Sequence, residues 1–219
     1  MFRNREDAAD QLINQLEAYR TQKPLVLGIP RGAVPMAKRI ATALGGDFDV
    51  VLVRKLGAPG NPEYAIGAVA EDGWVYLSPE AEFAGGTPDY IAAEKARQLA
   101  VIAERKKTYA ALRQPINPAD RVVIVVDDGL ATGATMIAAL HAVRAAHPKK
   151  LVCAVPVAPP ETLAHIRPLC DELVCLSVPV SFHAVGQFYA SFGQVSDAEV
   201  AACLRAERPA ALRPPESGA

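Results

Sequence analysis

This 219-residue chain lacks several signals, and each absence narrows its function. No apolar run approaches the ~18 residues that a membrane-crossing helix needs. The opening, Met1 to Asp7, carries charges with no apolar stretch behind them, so a cytoplasmic protein is expected. An excess of one charge is also missing. The 23 Lys and Arg against 24 Asp and Glu leave a net charge of −1, which is too small to gather nucleic acid or acidic lipid through an overall field. The four cysteines, Cys153, Cys170, Cys175 and Cys203, include no C-x-x-C pair, which argues against zinc and thioredoxin-like redox chemistry. Neither G-x-x-x-x-G-K-[ST] nor G-x-G-x-x-G occurs, so ATP and NAD enzymes of those types are disfavoured.

The remaining composition is that of a globular protein, with 51% apolar and 21% charged residues. The length suits one domain, expected over residues 1–207, with 177–207 forming a hood and terminal helix. Residues 208–219 have the composition of a disordered tail. Apolar spacing predicts helices over 5–20, 33–44, 88–112, 134–146, 160–166 and 197–206. Strands are predicted over 25–29, 48–53, 65–70, 74–77, 122–126, 151–155 and 172–176. This alternation predicts an α/β fold with a mostly parallel central sheet flanked by helices. In such sheets ligands sit beyond the carboxyl ends of the strands. The loops after Ile29, Val53 and Val126 are therefore expected to converge.

The third of these loops is the most informative. After Val122–Val126 the chain reads Asp127-Asp128-Gly129-Leu130-Ala131-Thr132-Gly133-Ala134-Thr135, and then a helix begins. Two adjacent carboxylates at a strand end are costly unless donors or a cation accompany them. Vicinal hydroxyls suit them, because ionised carboxylates only accept hydrogen bonds. The small residues and threonines that follow wrap a helix N-terminus, where free N–H groups and the dipole seat an anion. Diol acceptors beside a phosphate seat describe a ribose 5-phosphate.

The string resembles the signature of type I phosphoribosyltransferases, which bind 5-phosphoribosyl 1-diphosphate (PRPP). It departs at Gly129, where many members carry an aliphatic residue. Pro30-Arg31-Gly32 resembles the family's pyrophosphate loop, which implies a cis peptide between Pro30 and Arg31. Arg54-Lys55 and the Gly- and Pro-rich 56–62 resemble the start of the flexible catalytic loop of adenine enzymes, with Glu63-Tyr64 as an acid–aromatic pair. That family's second loop lysine is absent. Phe182, Val185, Phe188, Tyr189 and Phe192 form an aromatic-rich stretch that either covers a planar acceptor or seals the sheet edge. His183 is the histidine placed nearest to such a role. The resemblance also takes in F-x-x-R-E-D-A at Phe2–Ala8 and runs to about Leu204, like stand-alone bacterial phosphoribosyltransferase-domain proteins.

The resemblance implies a PRPP-dependent enzyme that transfers phosphoribosyl to a nitrogenous base and releases diphosphate. Asp127 and Asp128 would take the ribose hydroxyls and residues 129–135 the 5-phosphate. Arg31, Lys55 and Arg54 would neutralise the diphosphate, and Glu63 would assist proton transfer. Mg2+ would be held mainly by substrate and water, with Asp127 or Asp128 reaching it through water. A homodimer is the common assembly. Two alternatives stay open. One is a PRPP-sensing nucleic-acid-binding regulator, for which Arg105-Lys106-Lys107 and Lys149-Lys150 offer the basic surface. The other is a phosphosugar hydrolase or phosphorylase.

Overall fold

The computed structural model describes residues 1–205, so the tail expected over 208–219 lies outside the described residues. Asn4 opens helix α1 (Arg5–Gln15) by accepting the Asp7 N–H at 2.9 Å, the contact that an N-cap oxygen provides. The helix expected over 5–20 is shorter than that. A 3-10 helix takes over at Glu17–Gln22. Leu16 and Tyr19 are both buried, and a three-residue repeat stacks residues three apart on one side. Strand β1 (Leu25–Gly28) leads into α2 (Val34–Leu44). Gly45 ends α2 at φ +64, a left-handed conformation that glycine adopts without steric cost.

The single strand expected over 48–53 is two strands in two sheets. β2 (Asp47–Val50) runs parallel to β1. β3 (Val53–Ala58) instead starts a separate antiparallel sheet with β4 (Asn61–Ala70) and β5 (Val75–Leu77). The apolar run is continuous across the break, so periodicity does not mark it. The buried Asp49 carboxylate accepts the N–H groups of Val50 and Ile116, both at 2.8 Å, a local bond that competes with ladder pairing. The loop expected over 56–62 is correspondingly a hairpin, with register shifts around Gly57. A Cβ on Gly57 would stand 2.7 Å from the Pro62 backbone, so glycine permits the close approach of the two strands. Arg54 and Lys55 therefore lie within β3 and not in a loop that closes a central strand.

The chain continues through α3 (Pro88–Ala110), β6 (Val122–Val126), α4 (Ala134–Ala145), β7 (Lys150–Val157), α5 (Pro160–Ile166), β8 (Glu172–Ser177) and α6 (Asp197–Arg205). The central sheet is parallel, in the order β2-β1-β6-β7-β8. β6 is its middle strand and is buried on both faces, as its unbroken β-branched run requires. Ile124 joins the apolar cluster of α1 and α2, while Val123 and Val125 join the cluster of α4 and the small sheet. Gly28 and Val126 are in register, so the chain leaves β1 and β6 side by side. That adjacency brings two of the three expected loops together. The third approaches from the small sheet.

Truncation of Ile124 to Ala leaves a cavity in the middle of the sheet and is expected to cost about 3 kcal/mol. Val180→Ala, at a side chain 95% exposed, is expected to stay within about 0.5 kcal/mol of wild type. Urea unfolding midpoints compare the two.

Candidate active site at the carboxyl edge of the sheet

A cavity of about 740 Å³ opens beyond β1 and β6. Of the residues singled out in the sequence, Asp128, Gly129, Leu130, Ala131, Thr132, Gly133, Ala134 and Thr135 line it from the β6–α4 loop. Arg31 and Gly32 line it from the β1–α2 turn, Lys55 and Glu63 from the hairpin, and Val185 from the hood. Pro30, Arg54, Asp127, Phe182 and Tyr189 stand outside the lining. Successive strand residues face opposite ways, and Arg54 accordingly points from β3 to α3, where its Nε donates to Gln98 at 2.8 Å. Phe182 packs on Phe188 with ring centroids 5.2 Å apart. Tyr189 is buried and its hydroxyl donates to the Asp128 carbonyl at 2.6 Å. Of these aromatics, Phe192 is the one on the cavity wall, beside His183. The peptide bond between Pro30 and Arg31 is cis, as the resemblance implies.

Glycines shape the loop that faces this cavity. Gly133 opens α4 at φ +75 without a side-chain cap, which leaves the first-turn N–H groups and the positive end of the helix dipole directed at the cavity. A Cβ there would come within 2.8 Å of Thr162 Cγ2. Thr162 in turn donates to the Ala131 carbonyl at 2.5 Å. At Gly129 a Cβ would lie 2.5 Å from Val185 Cγ1. The hood side chain Val185 thus fills the space beside Gly129, and packing there requires a glycine.

The cations at the rim are held by carboxylates. Lys55 Nζ is 2.7 Å from Glu63 Oε2, and Arg31 Nη1 is 3.2 Å from Asp197 Oδ2. A diphosphate would compete with these exposed acids for the same donors. Asp128 accepts from a residue that the site reading omitted. Arg5 Nε and Nη2 lie 2.8 and 2.7 Å from Asp128 Oδ2. The sequence signal for it was the arginine of F-x-x-R-E-D-A, which had been given no role. Asp127 Oδ1 accepts the Asp128 N–H at 2.9 Å.

A family model for the phosphoribosyl transferase domain matches residues 1–191. The chain belongs to this family. A Mycobacterium tuberculosis protein, provisionally named a phosphoribosyl transferase, is 42% identical over 212 residues, covering 95% of this chain and 47% of that protein. The chain thus spans about half the length of the curated relatives it matches. The crystal structure of a Thermus thermophilus protein is 46% identical and superposes with a TM-score of 0.77, covering 93% of this chain and 97% of that one. An Aquifex aeolicus protein at 13% identity shares the fold alone, with a TM-score of 0.50 over 83% of this chain and 78% of that one.

Electrostatics in this phosphoribosyl transferase domain set a cost on the acid pair. Burial, and then the neighbouring Asp128 charge, push the Asp127 carboxyl well above the usual carboxylate range. Burial also raises Asp128, while the Arg5 guanidinium pulls it back. A carboxyl raised in the folded state binds protons more tightly there than in the unfolded chain. Its favourable contribution is complete below the unfolded value of about 3.9 and is lost as pH rises through the folded value. The melting temperature of the ligand-free domain should therefore decline on this account as pH rises above about 4. Asp127→Asn should flatten that decline and raise the melting temperature at neutral pH, as thermal scans of both proteins across pH would show.

Proposed function

We propose that this domain binds PRPP and transfers its 5-phosphoribosyl group to a nitrogenous base, with release of diphosphate. One observation carries the reading: a single loop, residues 127–135, puts Asp128, the second acid of an adjacent pair, on the same cavity wall as a helix tip without a side-chain cap at Gly133. The helix tip suits the 5-phosphate, with Thr132 and Thr135 adding hydroxyl donors. Asp128 is the acid on the wall and takes a ribose hydroxyl. Asp127 lies behind it and supports the loop through the Asp128 N–H. Arg31 and Lys55 exchange their carboxylate partners for the diphosphate. Arg54, turned toward Gln98, drops out of that set. Glu63, once released by Lys55, is placed to take a proton from the acceptor.

In the transfer, the bond from C1 to the diphosphate oxygen breaks and a bond from the base nitrogen to C1 forms. The electron pair leaves with the diphosphate, and the proton on the nitrogen passes to a base. The positive charge that develops at the sugar is stabilised by the fixed acids beside it. Mg2+ fits the donors present, since the Asp128 carboxylate on the cavity wall offers a hard oxygen that would reach it through water. When bound, it would supply charge neutralisation on the diphosphate. The basic stretches that a nucleic-acid-binding regulator would need are partly spent: Lys106 pairs with Glu71, and Lys150 with Glu172. This pairing supports the enzyme over the regulator.

The test is diphosphate release from PRPP and Mg2+ across a panel of purine, pyrimidine and pyridine bases. Release that needs a base supports transfer, and release without one marks a hydrolase. Asp128→Asn is expected to weaken PRPP binding by about tenfold or more, from the charge-assisted hydrogen bond lost. Lys55→Ala is expected to lower turnover about 10²-fold. PRPP affinity unchanged in an Asp127→Asn/Asp128→Asn double variant, measured by calorimetry, would overturn the assignment.

A further inference from the structure

We propose that Arg5 is a positioning residue for the sugar-binding acid: one guanidinium fixes the Asp128 carboxylate and moors the hood over the cavity. The inference takes its ligand from the PRPP reading above.

Arg5 stands in the first turn of α1, 123 residues from Asp128 in the chain. Its Nε and Nη2 both reach Oδ2 of Asp128, which leaves Oδ1 as the oxygen available to a ligand hydroxyl. Its Nη1 donates to the Gly193 carbonyl at 2.6 Å, and its guanidinium carbon lies 3.8 Å from the Phe192 ring centroid. The Arg5 and Asp128 side chains are each 15% exposed, so water screens the pair little. The same guanidinium thus touches the acidic loop and the hood.

Neighbouring elements hold both ends of this link. The Phe2 N–H donates to the Phe188 carbonyl, and the Ala190 N–H to the Phe2 carbonyl, both at 2.8 Å. The segment before α1 therefore docks on the hood as a short strand and fixes where Arg5 emerges. On the other side, Gly32 packs so closely that a Cβ would stand 2.1 Å from Asp128 Oδ2. The Asp128 backbone is held by the Tyr189 hydroxyl. With its carboxylate set between Gly32 and Arg5, Asp128 has little rotational freedom, and its orientation need not be fixed at the time of binding. Lysine cannot replace this group, because a single ammonium cannot make three contacts in the plane of a guanidinium.

The experiment is a double-mutant cycle in PRPP affinity, measured by calorimetry in the presence of Mg2+. It uses wild type, Arg5→Ala, Asp128→Asn and the pair, and repeats the Arg5 arm with Arg5→Lys. Arg5→Ala is expected to lose about tenfold in affinity in the wild-type background and less than about twofold in the Asp128→Asn background. Arg5→Lys should fall between wild type and Arg5→Ala. Equal losses in both backgrounds would overturn the inference, because Arg5 would then act on the ligand itself or only through general stability. The same cycle is run in urea unfolding of the ligand-free proteins. If wild type binds no PRPP, the PRPP reading fails, and the unfolding cycle decides this inference separately: coupling keeps the Arg5–Asp128 link, and additivity removes it. Should Arg5→Ala not fold, Arg5→Lys serves as the Arg5 arm of both cycles.

Discussion

Asp128 is the residue on which the site depends, because remote parts of the chain converge on it. Arg5 arrives from the first helix, Gly32 from the turn after the first strand and Tyr189 from the hood. Arg5 and Gly32 meet its carboxylate, and Tyr189 its backbone carbonyl. A half-buried acid next to a second acid is an unfavourable arrangement without such partners. The contacts that make it tolerable also set its orientation. Electrostatics and shape are therefore coupled here: the arginine that offsets the charge also ties down the hood.

The architecture explains why these parts meet. Parallel pairing of β1 with β6 puts their carboxyl ends side by side. The Pro30–Gly32 turn and the acidic loop thus share an edge with no contribution from loop length. The small antiparallel sheet supplies the opposite wall, and Lys55 reaches the cavity because alternation sends it one way and Arg54 the other. The rim cations rest on exposed acids, Glu63 and Asp197, in pairs that are weak in water. The Arg5–Asp128 pair, with both side chains 15% exposed, is by contrast little screened by water.

Much of this was legible in the sequence. The acidic loop, the strand before it and the helix that follows it depend on residues close together in the chain. Their chemistry is expressed locally, through turn residues and an unbroken apolar run. The hairpin at 53–70 was not legible. The run from Val50 to Val53 is apolar throughout, so periodicity does not mark the break at 51–52 that separates β2 from β3. The glycines and prolines of 56–62 were read as loop breakers, although Gly57 serves to bring two strands together. Tyr189, which the sequence leaves open as cover for an acceptor or as a seal of the sheet edge, is buried and donates to the Asp128 carbonyl.

By itself, the sequence determined the class of fold and the loop that marks the family, because both depend on patterns shorter than one helix. Only the tertiary structure decided which acid faces the cavity, that Val185 fills the space at Gly129, and that Arg5 belongs to the site. Those are contacts between residues brought together by sheet order and helix packing. Local sequence spacing carries no information about such partners until the chain has folded.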